Sequence, residues 1–266
     1  MASNLACVGL GVADVRDLSN LVRQASATAR PAGTFDGVEV TRWQDPSGAA
    51  LVLGWRDGDV ADLLPTYASA VGGRVASCRL VNGSVAAAAV VDGEGQQLAG
   101  LTFEAEQYRR LKALGRPVAG VARITALGTS ITVHPDAEAF AASPDNLLNP
   151  VADPAGQPPA GDDDRDWAWP ARVGPESFFS YGIFGDPAES TARARLSGTV
   201  VQAGHHTCTL TGQGFSAVTV RLVGFEAAVC LPDSEHPVTP EPGNVISGTV
   251  ILTAAIDSGA LALFDA

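Results

Sequence analysis

Basic charge, aromatic side chains and long apolar runs are all scarce in this chain, and each scarcity removes a class of function. Lysine occurs once, at Lys112, and the 17 basic residues are outnumbered by 29 acidic ones, leaving a formal net charge of −12. A surface of that sign has no basic face with which to release counterions from a phosphate backbone or to adsorb on anionic lipid. Neither nucleic acid nor a membrane is therefore expected as a partner. No apolar run approaches the roughly twenty residues that a spanning helix needs. Met1 to Asn4 carry no basic segment leading into an apolar block, and Asp14 and Arg16 interrupt the first apolar run, so a cytoplasmic protein is the expectation. Cysteine is limited to Cys7, Cys78, Cys208 and Cys230. That wide spacing suits buried free thiols in a reducing compartment better than a disulfide framework. With nine Phe, three Tyr and four Trp in 266 residues, the core has to be built mainly from Val, Leu and Ala.

What is there is alternation punctuated by glycine. The apolar residues 5–12 read as a buried strand, Asp17 as a helix N-cap, and Leu18, Leu21, Val22, Ala25 and Ala29 as one helical face that Pro31 and Gly33 bring to an end. A hairpin follows: Val38, Val40 and Trp43, the turn Gln44 to Gly48, then Ala49 to Trp55. Residues 74–81 and 84–91 flank Asn82-Gly83, the dipeptide that best supplies the two positive-φ positions of a type I′ turn. Residues 97–103 extend the meander. Glu104 to Leu114 predicts a short helix, acidic at its start and basic at its end, with Gly115 and Pro117 beyond it. Two further strands, 118–127 and 129–134, are expected with a break at Gly128.

Between residues 143 and 166 the pattern lapses into Pro144, Pro150, Pro154, Pro158, Pro159 and the run Asp162-Asp163-Asp164, too long and irregular for an ordinary loop. It predicts a Pro/Asp-rich linker, 143–166, dividing an α+β module at 1–142 from a second module at 167–266. The last seventy residues, with Ser197 to Val201, Phe215 to Leu222, Gly224 to Leu231 and Gly243 to Leu252, predict a small β-barrel or sandwich. The expected fold class is α+β and β-rich, its N-terminal module carrying a mainly antiparallel sheet. Just after the linker the scarce aromatic residues cluster at Trp167, Trp169, Phe178, Phe179 and Tyr181. These five are the candidate partner-binding residues, because large rigid rings concentrate binding energy at interfaces. A plug closing the seam beside the linker is the competing role.

Motifs with chemical content are few. His205, His206 and Cys208, with Cys230 and His236 downstream, are the main group of zinc-type ligands, but their spacing matches no zinc signature and strand geometry sends His205 and His206 to opposite faces. Thr211-Gly212-Gln213-Gly214 has the glycines of a nucleophile elbow without a nucleophile. Gly9-Leu10-Gly11 lacks the rest of a dinucleotide fingerprint. Asp162 to Asp164 with Asp166 lack EF-hand spacing. No catalytic residue, cofactor or metal is expected.

Two resemblances stand beside this. The opening strand–helix–strand–strand order, with Val12 to Leu18 leading into the helix and Trp43 to Leu53 in the hairpin, resembles a half-module of the vicinal oxygen chelate (glyoxalase and dioxygenase) superfamily. The resemblance covers about residues 5–56 and implies a divalent metal held by a histidine on the first strand and a glutamate on the fourth. The matching first strand carries Cys7 and no histidine, and the matching fourth, Leu51 to Trp55, carries no carboxylate. The C-terminal part is similar in outline to OB-type barrels, with Gly198, Gly224 and Gly248 where a small barrel must coil. It lacks the aromatic and basic platform by which such barrels bind single strands. The expectation is a non-enzymatic protein-interaction or structural module that contacts a protein partner or another copy of itself. The alternative is a glyoxalase-like small-molecule-binding protein or metal-assisted enzyme.

Overall fold

The structure is a computed structural model that describes residues 4–148 and 169–261. It is mostly strand, with one large mixed sheet and one smaller antiparallel sheet.

Residues 5–12 form no strand. Ala6–Val8 is a single 3-10 turn ended by Gly9 at φ 69°, and Cys7, Val8 and Leu10 are fully buried. The apolar run registered burial correctly, but burial does not require a strand. Helix α1 (Val15–Ser26) follows, and its N-cap is Asp14 rather than Asp17: the Asp14 carboxylate accepts from the Asp17 backbone N–H at 2.9 Å. Asp17 instead lies in the first turn, where a negative charge suits the helix dipole. Leu21, Val22 and Ala25 make up the buried stripe.

The smaller sheet is a meander of β1 (Arg30–Phe35), β2 (Val38–Gln44), β3 (Ala49–Arg56) and β4 (Asp59–Tyr67). Its first and last hairpins turn on Asp36-Gly37 (φ 51° and 74°) and Asp57-Gly58 (φ 53° and 89°). Asp-Gly is suited to such turns because both central residues need positive φ. Pro31 and Gly33 do not stop α1, which already ends at Ser26. They sit in β1, an edge strand, where a proline's missing N–H costs no ladder bond.

The larger sheet contains β5 (Gly72–Asn82), β6 (Val85–Val91), β7 (Gln97–Ala105), β8 (Val118–His134), β9 (Ser177–Ser180), β10 (Arg193–Thr207), β11 (Gly214–Leu222), β12 (Phe225–Pro232) and β13 (Val245–Asp257). Strands from both sides of residues 143–166 belong to it. β8 and β13 pair antiparallel from Val121↔Asp257 to His134↔Val245, and β8 also pairs parallel with β12. Hydrogen-bonded neighbours run β10–β11–β12–β8–β13–β10 in one unbroken circuit and β8–β5–β6–β7–β13–β8 in a second. β8 is continuous through Gly128, and the expected break is a register shift opposite Thr249 and Val250. Gly248, at φ 143°, is required there: a Cβ would lie 2.0 Å from the Ser130 carbonyl oxygen. The β5–β6 hairpin turns one residue later than expected, on Gly83-Ser84, and Asn82 is the last residue of β5.

Helix α2 (Tyr108–Leu114) is shorter than the sequence suggested and ends at Gly115 in the left-handed conformation, φ 60°. Helix α3 (Ala137–Ala142) follows β8. The main core gathers Phe103, Ile124, Leu196, Val218, Val229, Ile246 and Leu252 from strands of both circuits. A second core packs α1, the 3-10 turn and the inner face of the smaller sheet, including Trp43 and Leu51, against Leu127, Phe215 and Cys230. No helix among the described residues is long and apolar enough to cross a membrane.

Candidate functional site

The five aromatic candidates part company. Trp167 lies outside the described residues, and Trp169 is half-buried. Phe178, on β9, packs edge-on against Phe225 with ring centroids 5.0 Å apart and joins the main core. Phe179 is half-buried opposite Arg195 of β10. Only Tyr181 among the described candidates is exposed, and it opens a short apolar turn that continues through Ile183 and Phe184. Phe184 is 67% exposed and Ile183 46%. Ile183 reaches to 3.6 Å from where a Cβ on Gly100 of β7 would stand, while Leu98, at the register shift of that strand, is exposed beside Gly224. Neither Ile183 nor Phe184 was singled out among the candidates, although both belong to the same sequence run.

This exposed turn stands on a base of hydrogen bonds. Ser180, buried at the end of β9, accepts from the Thr102 backbone N–H at 2.9 Å, and its hydroxyl lies 2.8 Å from that of Thr102. Thr102 Oγ1 donates to the Thr191 carbonyl at 2.7 Å, and Ser190 Oγ donates to that of Gly182 at 2.7 Å. The Asn82 amide lies 2.9–3.1 Å from the carbonyls of Pro187, Ala188 and Ser190. Gly182 has no room for a Cβ, which would fall 2.3 Å from the Thr191 carbonyl oxygen. β9 thus serves as a plug while the turn after it faces solvent.

The histidines and cysteines are dispersed. His205 is exposed with Nε2 2.8 Å from Asp233 Oδ2, while Asp233 Oδ1 is buried without a hydrogen-bond partner. Gly214 makes room for that carboxylate, since a Cβ there would meet it at 1.9 Å. His206 points to the other face and stacks on Phe215, centroids 5.4 Å apart, as strand alternation demands. Burial, and secondarily the charge of His205, holds its pKa below the usual histidine value. Burial also lowers that of His236. Cys208 and Cys230 are fully buried in the second core. All four cysteines are unbridged, and burial pushes the Cys7 thiol up to about 12 and the Cys78 thiol to about 11. Among the described residues no three His, Cys, Asp or Glu side chains gather where they could hold a metal ion. His134 is buried, with Nε2 2.9 Å from Ser247 Oγ and 3.2 Å from Asp145 Oδ2.

The two glycine motifs pack against each other. Gln213 donates to the Gly11 carbonyl at 2.7 Å and accepts from its N–H at 2.8 Å, and Thr211 donates to the Gly9 carbonyl. These bonds occupy the Gly11 N–H and the carbonyls of Gly9 and Gly11. Asp162 to Asp164 and Asp166 lie outside the described residues. The vicinal oxygen chelate likeness needs a strand ahead of α1, and residues 5–12 supply none, so the order is helix followed by four strands.

One feature left no trace in the sequence pattern. Where the smaller sheet meets the ends of β8 and β13, an open cleft of about 640 Å³ is lined by Arg42, Gln44, Tyr67, Gln107, Arg123 and Asp257. Behind it Glu106, 5% exposed, accepts from Arg42 Nε at 3.0 Å and from Thr66 Oγ1 at 3.2 Å, and Thr66 Oγ1 lies 2.8 Å from Thr253 Oγ1.

No protein-family model, curated protein or solved structure matches the chain.

Proposed function

We propose that this chain is a non-enzymatic protein-interaction module whose contact surface is the apolar turn from Tyr181 to Phe184. The observation that carries the proposal is the 67% exposure of Phe184 on a turn whose base is tied down by Ser180, Thr102, Asn82 and Ser190. Water-facing aromatic and branched side chains are costly to display, and burying one such side chain against a partner yields about 1.5–3 kcal/mol. A turn held in place by hydrogen bonds loses little freedom when it docks. In the same reading the circuit β10–β11–β12–β8–β13 is a small barrel that serves as a rigid mount, and the burial and dispersal of the reactive side chains favour a binding role over a chemical one.

The test uses the purified full chain. Proteins recovered with it are purified in turn and their affinity measured by calorimetry against wild type, the double variant Ile183→Asp/Phe184→Asp, and Val15→Asp as an exposed control on α1. A purified partner that binds wild type and the control but binds the double variant at least about a hundredfold more weakly supports the proposal. A partner that binds all three equally overturns it, as does a strict monomer by light scattering for which no recovered protein rebinds.

A further inference from the structure

The intersheet cleft shares no lining residue with the apolar turn. Its polar walls come from four places: Arg42 and Gln44 on β2, Tyr67 at the end of β4 with Ala68 and Ser69 beyond it, Gln107 ahead of α2, and Arg123 with Asp257 toward the ends of β8 and β13. Each charge there has its opposite at hand. Arg42 is paired with Glu106 at 3.0 Å, and Arg123 with Asp257 at 3.1 Å. The cleft therefore offers no net charge with which to select a phosphate, a carboxylate or a cation, and a chain of net charge −12 repels anions at longer range. What compensated pairs do offer is donors and acceptors side by side. A guanidinium only donates and a carboxylate only accepts, so an arginine–carboxylate pair matches a group that accepts and donates at once, and a hydroxyl is that group.

The walls are also held rigid. Gln107 donates to the Ile256 carbonyl at 3.1 Å and accepts from its N–H at 3.0 Å, continuing the end of β13 as a strand would. Thr66, buried and itself hydrogen-bonded to the buried Thr253, holds the Glu106 carboxylate from behind, and Arg42 Nη1 donates to Gln44 Oε1. Polar groups fixed before the ligand arrives lose little entropy on binding. A volume of about 640 Å³ falls within the range of small-molecule sites.

We propose that this cleft binds a neutral polyhydroxylated small molecule, a sugar or polyol of mono- to disaccharide size. The test is saturation-transfer NMR on the purified full chain with glucose, galactose, mannose, N-acetylglucosamine, maltose, cellobiose and inositol, and calorimetry with inorganic phosphate and citrate. At least one of the neutral compounds is expected to receive saturation. Its affinity should fall about tenfold or more in the folded double variant Gln44→Ala/Arg123→Ala. It should be unchanged in Phe184→Asp, so that the fate of the apolar turn and that of the cleft are read separately. Silence across the panel overturns the proposal. So does a signal that the double variant leaves intact, or displacement of the sugar by phosphate or citrate.

Discussion

His205 and His206 are adjacent in the chain and inhabit different surroundings: the first is exposed beside Asp233, the second is stacked on Phe215. The second has consequences for pH. Because burial lowers the His206 pKa, below about pH 6.5 an unfolded chain takes up a proton at this position that the folded protein resists. Its contribution to stability is whole above the unfolded value and is lost as pH falls from there to the lowered folded value. His236 acts in the same direction. Urea midpoints measured from pH 7.5 to pH 5 are expected to decline for wild type, and His206→Asn/His236→Asn should flatten that decline even if it lowers stability overall. Equal slopes would remove these two imidazoles from the account. Among the candidate site residues, the opposite orientation of the two histidines was legible from strand period alone, whereas the exposure of Tyr181 and the burial of Phe178 were not. Both rings lie in one short run, and only the position of Phe225 decides which of them has a neighbour.

At the scale of elements, the stretch expected to separate two modules leaves and returns at one place. Leu147 and Arg172 form an antiparallel bridge, the Leu148 N–H donates to the Ala171 carbonyl at 2.8 Å, and the Val173 N–H donates to that of Asn146 at 2.7 Å. Arg195 secures the outgoing end, donating to the carbonyls of Asp145, Leu147 and Leu148 at 2.7, 2.7 and 2.9 Å. When the two ends of a connection are already stapled, its length affects stability only through loop closure, which changes slowly with residue number. Deleting residues 151–166, which leaves six residues between Leu148 and Ala171, is expected to hold the free energy of unfolding in urea within about 1 kcal/mol of wild type. A loss of several kcal/mol would show that the deleted residues contribute packing. The hairpins teach a related lesson. Strands β1 and β4 were not expected from the sequence, although the Asp36-Gly37 and Asp57-Gly58 turns that join them to β2 and β3 meet a requirement for positive φ that is local. The exact turn residues of the β5–β6 hairpin, Gly83-Ser84, were set by pairing that reaches beyond it, since the Asn82 side chain is engaged with the carbonyls of residues 187–190.

At the scale of the whole molecule, β8 and β13 form the spine on which both pairing circuits depend. A fragment comprising residues 1–148 would leave two of the neighbours of β8 missing, and residues 169–266 alone would leave β12 and β13 without their shared partner. Expressed separately, neither fragment is expected to give the far-UV circular dichroism and cooperative melting of the full chain, whereas co-expression should restore both. Independent folding of either fragment would show that the shared spine is dispensable. By itself the amino-acid sequence determined the alternation of most strands, the helical stripe of α1 and the net charge of −12, because periodicity is a property of neighbouring residues and charge is a simple sum. Only the tertiary structure decided that Leu127 faces Ile251, that β8 serves two circuits, and that Arg42, Glu106, Thr66 and Thr253 meet behind one cleft. An apolar face specifies that it is to be buried without specifying against what, and a strand's hydrogen-bonding edge is the same whatever strand lies beside it.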